Sequence, residues 1–397
     1  MPRHGASRSH GPRHRRTSGR HPVLKAVALT VLGAVTAATG AAGAMVVEFD
    51  RALVSYNTDA LVTNRPSVRA PTVDANPRDP FGGRAVNLLV IGSDSREGSN
   101  QAIGGGSSRS MRSDSTVIVH ISADRSRVEV VSIPRDTLVD IPPCTLSNGV
   151  TTSSGHTKFN AAFSYGATQG ENVGDAAACT IQTVESVTGV RIDAFVVVDF
   201  AGFVDVIDSI GHVTMCVDQA MRSTDAKLDI EAGCQDFDGT TALAYARARK
   251  GEGMPEGSDL ARIGRQQALG AAVLRRVADM TLLTSLPDLY RVATASARAV
   301  TTSDNLGSAA DLAGFAFALR STPLDHIEFI TAPNVSAGDG ANVVFAPGIE
   351  TLWDAIAEDR RPPSASASPA ASVQTGATQP KATQPKATPS QTLASRD

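Results

Sequence analysis

The sequence predicts an α/β fold in which strands and helices alternate along the chain and pack in layers. Five short runs rich in β-branched residues lack the polar alternation of half-exposed strands, which is typical of strands buried on both faces. Segments with helical spacing of apolar residues separate these runs. Because 42% of the 397 residues are hydrophobic, the chain can form a substantial core. Interleaved strands and helices therefore predict a layered α/β or α/β/α domain.

The N-terminal part of the chain predicts a membrane anchor. Residues 1–25 contain seven cationic side chains and no acid, and residues 26–47 are uncharged over a length that crosses a hydrocarbon core. Basic residues before the span predict a cytoplasmic tail at 1–25 and an extracellular location for the remainder. The alternative is a cleaved signal peptide, since Ala42-Gly43-Ala44 resembles a cleavage site. The length of the uncharged segment favours an uncleaved transmembrane helix, and both interpretations export the protein.

The folded unit is predicted between two polar segments. Residues 48–81 are polar and contain four prolines, which predicts a stalk. Residues 362–397 are rich in Pro, Ser, Thr and Ala and repeat the sequence Ala-Thr-Gln-Pro-Lys, which predicts a disordered tail. A single catalytic domain is expected over residues 82–361.

Within this domain, the apolar runs predict the order of the elements. Strands are expected at Val86–Ile91, Thr116–Ile121, Val128–Ile133, Phe195–Val198 and Ile327–Ile330. Helices are expected at Lys158–Tyr165, Ala176–Thr188, Phe200–Ile210, Thr240–Arg249, Asp259–Met280, Ser308–Leu319 and Gly348–Asp359.

The four cysteines all lie on the side predicted to be exported, where thiols are usually oxidised. Three pairings are possible. The spacing favours Cys216–Cys234, which closes a short loop, together with Cys144–Cys179. Zinc binding is the alternative, but no two cysteines form a CxxC pair.

Acidic and basic side chains cluster at three predicted strand ends. Asp94 and Arg96 follow the first strand, Arg112 and Asp114 precede the second, and Arg135 follows the third. Ligand contacts in open α/β sheets lie at such ends, so these groups predict one polar site. Carboxylates suit Mg²⁺ and planar guanidinium groups suit phosphate oxygens. The alternative for each cluster is a solvent-exposed loop with no binding function.

A fourth cluster lies on predicted helices and contains the candidate substrate contacts Arg247, Arg249, Arg262, Arg265 and Gln266. Asp259, Arg262 and Gln266 share one helical stripe at spacings of three and four, with Arg265 beside it. A surface ladder of ion pairs is the alternative. The formal net charge is only −3 despite the basic tail, so the rest of the chain is acidic and a generally polyanion-binding surface is excluded. Arginines gathered from four segments therefore indicate a local basic pocket.

The order of these motifs resembles the LytR-CpsA-Psr proteins of bacterial cell walls, most strongly over residues 85–274. The matching pieces are Asn87 to Arg96, Arg112-Ser-Asp114, Ser132 to Asp136, Lys158-Phe-Asn160, Val198-Asp-Phe200, Ala242 to Arg249 and Asp259 to Gln267. Two positions depart from the family pattern: Gly211-His212 replaces a Gly-Gly pair, and Ala261 replaces a glycine. The segment Glu97–Ser108 is longer than the family minimum and is expected to form a flap.

The resemblance implies a phosphotransferase that moves a glycopolymer, such as teichoic acid or arabinogalactan, from a polyprenyl-diphosphate lipid to peptidoglycan. It further implies an α/β/α sandwich with a central mixed sheet and a hydrophobic pocket for the lipid tail, which Phe195–Val198 and Phe200–Ile210 are placed to line. Asp94 and Asp114 match the ligands of Mg²⁺ or Mn²⁺. The arginines Arg96, Arg112, Arg135, Arg247, Arg249, Arg262 and Arg265 match the diphosphate contacts, with Gln266 beside them.

Two other functions are compatible with the same residues. A polyprenyl-diphosphate pyrophosphatase would use water where the transferase uses a sugar hydroxyl. A non-catalytic wall-binding or regulatory membrane protein would use the cluster for binding alone. A regulator needs access to DNA, and the predicted topology leaves only residues 1–25 in the cytoplasm, which disfavours that role.

Overall fold

The computed structural model describes residues 43–68, 70–71, 79–95, 100, 103, 111–254, 259–280, 285–320 and 322–363. The strands in these ranges are β1 Val54–Tyr56, β2 Val86–Ser93, β3 Ser113–Ile121, β4 Val128–Ile133, β5 Leu138–Ile141, β6 Gly155–Lys158, β7 Ala194–Val198, β8 Val213–Val217, β9 Met221–Ser223, β10 Leu228–Ile230, β11 Gly233–Phe237, β12 Val300–Ser303, β13 Ile327–Thr331, β14 Asn334–Ser336 and β15 Val343–Phe345. The helices are α1 Ala161–Gln169, α2 Val173–Thr188, α3 Phe200–Ser209, α4 Gly239–Arg247, α5 Asp259–Asp279, α6 Leu286–Ala299, α7 Ala309–Leu319 and α8 Glu350–Ala357.

Seven strands form a mixed sheet in the order β1-β12-β7-β2-β3-β4-β13. Strand β3 pairs antiparallel with both of its neighbours, β2 and β4. Strand β7 is parallel to β2, and β13 is parallel to β4. The ends of β2 and β4 and the start of β3 consequently meet at one edge of the sheet. This arrangement confirms the predicted α/β fold with a central mixed sheet, and it brings the three polar strand ends together.

The two faces of the sheet differ in how fully they are covered. Leu89, Ile91, Ile118, Val131 and Phe195 point to one face, where they are fully buried in the main core with residues of α1, α2 and α8. On the opposite face Leu88, Val90, Val117, Val119 and Val130 are only partly buried. Helix α7 covers part of that second face through Leu312 and Phe315. The less covered face leaves apolar side chains of the sheet partly accessible.

A second, smaller core lies outside the sheet. The two-stranded sheets β8–β11 and β9–β10 pack against α3, α4 and α5 around buried side chains that include Ile207, Met215, Phe237 and Leu269. This layer matters for the site, because it fixes α4 and the first turns of α5 above the edge where β2 and β4 end.

Several elements differ from the sequence-based expectation. The helix predicted at Lys158–Tyr165 begins only at Ala161, because Gly155–Lys158 pairs with β5 as strand β6. The predicted stalk at 48–81 is also partly folded. Val54–Tyr56 pairs with β12 at the sheet edge, Val62 is buried, and Arg65 forms an ion pair with Glu185 of α2. The segment has few apolar residues and no local pattern of a strand or helix. It is ordered by contacts with β12 and α2, which are distant in sequence.

The predicted membrane anchor falls mostly outside the described residues, which begin at 43 and are helical over 43–52. In the described part of the chain, no helix has both the length and the apolar character that crossing a membrane requires. The basic tail at 1–25, the Pro/Ser/Thr/Ala-rich tail beyond residue 363 and most of the expected flap at Glu97–Ser108 also lie outside the described residues.

Both predicted disulfides are present. Cys144 joins the loop after β5 to Cys179 of α2, with 5.3 Å between their Cα atoms, and Cys216 of β8 joins Cys234 of β11, with 3.9 Å. The second pair occupies directly opposed positions of an antiparallel pair of strands. All four cysteines are thereby used, which removes the zinc alternative.

Candidate active site

The three polar strand ends converge on Arg135, which follows β4. Its Nη1 lies 2.5 Å from Asp114 Oδ1, and its Nε lies 3.4 Å from Asp136 Oδ2 and 3.7 Å from Asp259 Oδ1. Burial lowers the pKa of Arg135, but these three carboxylates outweigh the burial and raise the pKa above its ordinary value. Arg135 is therefore the charged centre that holds β3, β4 and α5 together at this edge.

Asp94 is positioned by the backbone at the end of β2. Its amide donates to the carbonyl of Arg112 at 3.0 Å, and its Oδ1 accepts a hydrogen bond from the Arg112 amide at 2.5 Å. The β2–β3 pairing shifts register at Gly92 and Ser93, directly before this contact. The irregularity ends the ladder and leaves the Asp94 carboxylate beside the start of β3, where Asp114 lies.

Asp136 is enclosed by cations. Lys158 Nζ donates to its Oδ1 at 2.8 Å, and Arg249 Nη2 lies 3.8 Å from its Oδ2. Burial raises the pKa of Asp136, but the hydrogen bond from Lys158 and the charges of Arg135, Lys158 and Arg249 outweigh it and lower the pKa below its ordinary value. Asp136 thus remains a carboxylate that anchors the surrounding cations.

Helices α4 and α5 supply further cations from above the sheet edge. Arg262 is almost fully buried, forms an ion pair with Asp259, and its Nη2 lies 3.4 Å from the backbone oxygen of Asp114. The guanidinium of Arg247 lies over the Phe200 ring, 4.3 Å from its centroid. Gln266 Nε2 donates to the carbonyl of Ala246 at 3.2 Å. Helix α5 is thereby fixed to both the sheet edge and the end of α4.

These groups surround one cavity of about 560 Å³. Among the described residues, its lining includes three carboxylates and five cationic side chains, with Gln266 and two alanines. They are Asp94, Asp114, Arg135, Asp225, Ala226, Ala246, Arg247, Arg249, Lys250, Arg262 and Gln266. The excess of cations in a partly enclosed space favours an anionic ligand, and several planar guanidinium groups suit phosphate oxygens.

Seven of the ten site residues predicted from sequence lie together in this cavity, and two of the described ones do not. Arg96 lies outside the described residues. The side chain of Arg112 is exposed and does not line the cavity; only its backbone contacts Asp94. Arg265 is turned to the other side of α5, since consecutive helical residues differ by about 100° in direction, and it lines a separate cavity.

The sequence did not identify Asp225, Lys250 and Lys158 as site residues. Asp225 lies in the turn of the β9–β10 hairpin, and Lys250 lies in a loop packed on that hairpin through Arg222 and Glu252. No local pattern marks these two positions, because the tertiary packing of the hairpin brings them to the cavity. Lys158 belongs to the family motif Lys158-Phe-Asn160, so the sequence did mark this position. Its hydrogen bond to Asp136 explains why a lysine stands there.

The carboxylates can be tested against the requirements of a metal ion. Within the described residues, no group of three or more His, Cys, Asp or Glu side chains is arranged to hold a metal. Asp94 and Asp114 line the same cavity as a pair of oxygen donors. Mg²⁺ is usually bound by one or two carboxylates plus water and substrate phosphates, so this pair fits Mg²⁺ and does not fit a metal that needs a complete protein cage.

The less covered sheet face supplies an apolar surface near these charges. Val90 and Val117 lie on neighbouring strands that lead to the cavity edge, and Val196 and Val198 of β7 share their face. Phe195 and Val197, expected among the pocket-lining residues, belong to the main core instead. Alternation along the strand explains the split, since successive side chains point to opposite faces.

Comparison with known proteins adds independent findings. The family model described as "LytR_cpsA_psr family" matches residues 52–356. The chain is 35% identical over 208 residues to the probable cell wall biosynthesis protein LcpB of Corynebacterium glutamicum, an alignment that covers 51% of this chain and 44% of LcpB. It is 28% identical over 217 residues to polyisoprenyl-teichoic acid–peptidoglycan teichoic acid transferase TagT of Bacillus subtilis, covering 53% of this chain and 58% of TagT. The alignments thus span about half the length of these relatives.

Among solved structures, the fold is similar to the LytR-Csp2A-Psr enzyme from Actinomyces oris. The TM-score is 0.54 at 17% sequence identity, and the superposition covers 77% of this chain and 96% of that chain. The low identity makes this a likeness of fold alone.

Proposed function

The chain belongs to the LytR_cpsA_psr family, and we propose that it is a transferase that moves a glycopolymer from a polyprenyl-diphosphate lipid to peptidoglycan. The observation that carries this proposal is the cation-rich cavity at the end of a partly accessible apolar sheet face. A lipid diphosphate has the two matching parts, a charged head and an apolar tail. The name of TagT, which describes transfer of teichoic acid from a polyisoprenyl carrier to peptidoglycan, supports the same substrate class.

In the proposed reaction, a sugar hydroxyl of the acceptor attacks the phosphorus that carries the glycopolymer. The new bond joins phosphorus to the acceptor oxygen, the phosphoanhydride bond breaks, and polyprenyl phosphate leaves. No nucleotide is needed, since the anhydride bond provides the driving force. Arg247, Arg249 and Arg262 line the cavity as donors to the diphosphate oxygens, which stabilises the charge that develops on the leaving group.

Asp94 and Asp114 would hold Mg²⁺ or Mn²⁺, which when bound neutralises charge on the diphosphate. Asp114 also keeps its ion pair with Arg135, so this carboxylate links the metal site to the arginine cluster.

The proton of the attacking hydroxyl needs an acceptor other than the metal-bound carboxylates, because a carboxylate on a metal is a weak base. Asp136 is unsuitable, since Lys158, Arg135 and Arg249 lower its pKa. Asp225 lines the cavity from the β9–β10 turn, and within the described part of the chain its side chain makes no hydrogen bond or ion pair. We assign proton removal to Asp225.

The test of the proposed function is a reconstituted reaction with the purified chain, a polyprenyl-diphosphate-linked glycopolymer and soluble peptidoglycan oligomers. A product in which the glycopolymer is joined to the oligomer is expected, together with polyprenyl phosphate. Release of glycopolymer phosphate without a linked product would assign the chain as a pyrophosphatase. Binding of the donor without any turnover would instead support a non-catalytic wall-binding or regulatory protein.

Changing the two proposed metal ligands is expected to alter the response to Mg²⁺. Asp94→Asn or Asp114→Asn should raise the Mg²⁺ concentration for half-maximal transfer and lower kcat about 10- to 100-fold, since each change removes one charged ligand. Transfer rates are measured over a Mg²⁺ titration. An unchanged half-maximal concentration in both variants would remove these residues from the metal site.

Asp225→Asn is expected to behave differently. It should lower kcat about 100-fold, a typical contribution of a general base, while the Mg²⁺ concentration for half-maximal transfer stays the same. Asp229→Asn is the matched control, because Asp229 lies on the same hairpin, pairs with Arg222 and does not line the cavity. Equal kcat in the Asp225 and Asp229 variants would remove the assignment of Asp225 as the base.

We also propose a single-pass location in the cell membrane, with the N-terminus in the cytoplasm and the domain outside. The basic residues 1–25, the uncharged residues 26–47 and two disulfides, which are typical of an oxidising compartment, support it. Protease added to intact spheroplasts should digest the domain. Full protection of the domain would contradict this topology.

A further inference from the structure

A second cavity, of about 740 Å³, lies on the other side of helix α5 from the candidate active site. Part of its wall is apolar, with Met221 of β9 and Leu260 and Ala268 of α5. The two cavities share helices α4 and α5. Arg262 and Gln266 face the first cavity, while Leu260 and Arg265 face the second. Because an α-helix with its side chains is about 10 Å thick, one extended molecule is able to reach both.

The second cavity contains a buried cation without an acidic partner. Arg265 is 9% exposed, and its Nε has no hydrogen-bond partner. Its Nη2 donates to the backbone carbonyl of Ala248, and within the described part of the chain no carboxylate lies in ion-pair distance. Burial lowers the pKa of Arg265, and Tyr245 opposes this only in part. A guanidinium remains charged in proteins, so the charge itself is buried here.

The other buried arginines in the described residues also have an Nε without a hydrogen-bond partner, but Arg265 is the exception in lacking a carboxylate partner. Arg125 pairs with Asp79, and Arg262 pairs with Asp259. A buried charge without a counter-charge is strongly unfavourable, which is why such groups are almost always paired. Because Arg265 lines the second cavity, an anionic group of a bound ligand can supply the missing counter-charge.

Three amide side chains around the cavity indicate the rest of that ligand. The nitrogen of Gln219 donates to the Gly253 carbonyl at 2.9 Å, that of Asn334 to the Ala332 carbonyl at 2.9 Å, and that of Gln267 to Ser132 Oγ at 3.2 Å. Within the described part of the chain, the oxygens of these amides accept no hydrogen bond. Fixed amide oxygens are suitable acceptors for hydroxyl groups, so together with Arg265 they match a carbohydrate that carries a carboxylate.

We propose that the second cavity binds the peptidoglycan acceptor and that Arg265 pairs with one of its carboxylates. This inference rests on the proposed function. In that reaction, the diphosphate of the donor occupies the first cavity and its lipid lies on the apolar sheet face, so the acceptor is the one reactant without a binding site. The second cavity supplies one, a helix width from the reacting phosphorus. Arg265 is then a specificity-determining residue for the acceptor, distinct from the arginines that bind the donor.

The test compares Arg265→Met with Arg276→Met in the full-length chain. Arg276 is the matched control, because it lies on the same helix and also donates to a backbone carbonyl, that of Ile210 at 3.0 Å, but lines neither cavity. The probes are soluble peptidoglycan fragments with free carboxylates, and the same fragments after their carboxylates are converted to amides. Binding is measured by titration calorimetry, and the KM values for donor and acceptor are measured separately.

The wild-type chain should bind the carboxylate fragments about 10- to 100-fold more tightly than the amide fragments, as expected for a charge-assisted pair. Arg265→Met should abolish that preference and raise the KM for the acceptor by a similar factor, with the KM for the donor unchanged. Arg276→Met should keep the preference. A melting temperature close to wild type, together with the unchanged KM for the donor, shows that the Arg265 variant is folded.

A carboxylate preference that survives Arg265→Met would overturn the inference, and so would an increase in the KM for the donor alone, which would assign the cavity to the donor glycan. The outcome is separate from that of the proposed function. Arg265-dependent binding of the fragments without any transfer would contradict the transferase and retain the carboxylated-glycan site. Transfer with an acceptor preference that does not depend on Arg265 would support the transferase and contradict the carboxylated-glycan site.

Discussion

Replacing Arg247 with alanine is expected to lower kcat/KM for glycopolymer transfer about 100- to 1000-fold, the range for removing one donor to developing negative charge in a shielded site. The guanidinium lies over the Phe200 ring, and Arg247 lines the same cavity as Asp94, Arg262 and Gln266. Stacking on an aromatic ring restricts the side chain, so its donors are held in place before the substrate binds. Initial rates at varied donor concentration measure the effect.

Arg247→Lys is the informative companion. Lysine keeps the positive charge but loses the planar fork and the stacked arrangement, so it should recover only a small part of the lost activity. Arg298→Ala serves as the control, since that exposed arginine pairs with Glu48 and lines neither cavity. Full activity in Arg247→Lys would mean that only charge matters at this position, and normal transfer by Arg247→Ala would remove Arg247 from the donor site.

The parts of the fold that the sequence predicted are those whose local pattern agrees with the tertiary structure. Strand β4 is found with the predicted bounds Val128–Ile133, because its buried β-branched run ends at Pro134. Strand β1 was missed, because only three residues form it and its partner strand β12 begins far along the chain, at Val300. Such long-range pairing leaves no signal in a local window.

The candidate site divides in the same way. Asp94, Asp114 and Arg135 were predicted from strand ends, and the antiparallel order of β2, β3 and β4 brings those ends to one edge. The helical periodicity placed Arg262 and Gln266 on one stripe, and both line the cavity. Arg265 could not be separated from them by sequence, because its direction depends on how α5 is rotated relative to the sheet. Asp225 and Lys250 depend on the packing of the β9–β10 hairpin, which no motif encodes.

Replacing Arg135 with alanine is expected to reduce both stability and activity, unlike the change at Arg247. The substitution leaves Asp114, Asp136 and Asp259 near one another without their shared cation. Breaking a buried ion pair by removing one partner typically costs about 3–5 kcal/mol, and Arg135 is largely buried with three such partners. Lys158 and Arg249 still neutralise Asp136, which favours the lower end of that range. Urea denaturation measures the free energy of unfolding, and transfer per folded molecule is measured in parallel.

Arg127→Ala separates loss of stability from loss of function. Arg127 is also largely buried and pairs with Glu129 and Asp359, but it does not line the candidate active site. It should destabilise the domain by a comparable amount while transfer per folded molecule remains normal. Arg135→Ala should lose transfer even in the molecules that remain folded, because Asp114 is no longer held in position beside Asp94. Equal transfer per folded molecule in the two variants would reduce Arg135 to a structural residue and leave the donor site to the arginines of α4 and α5.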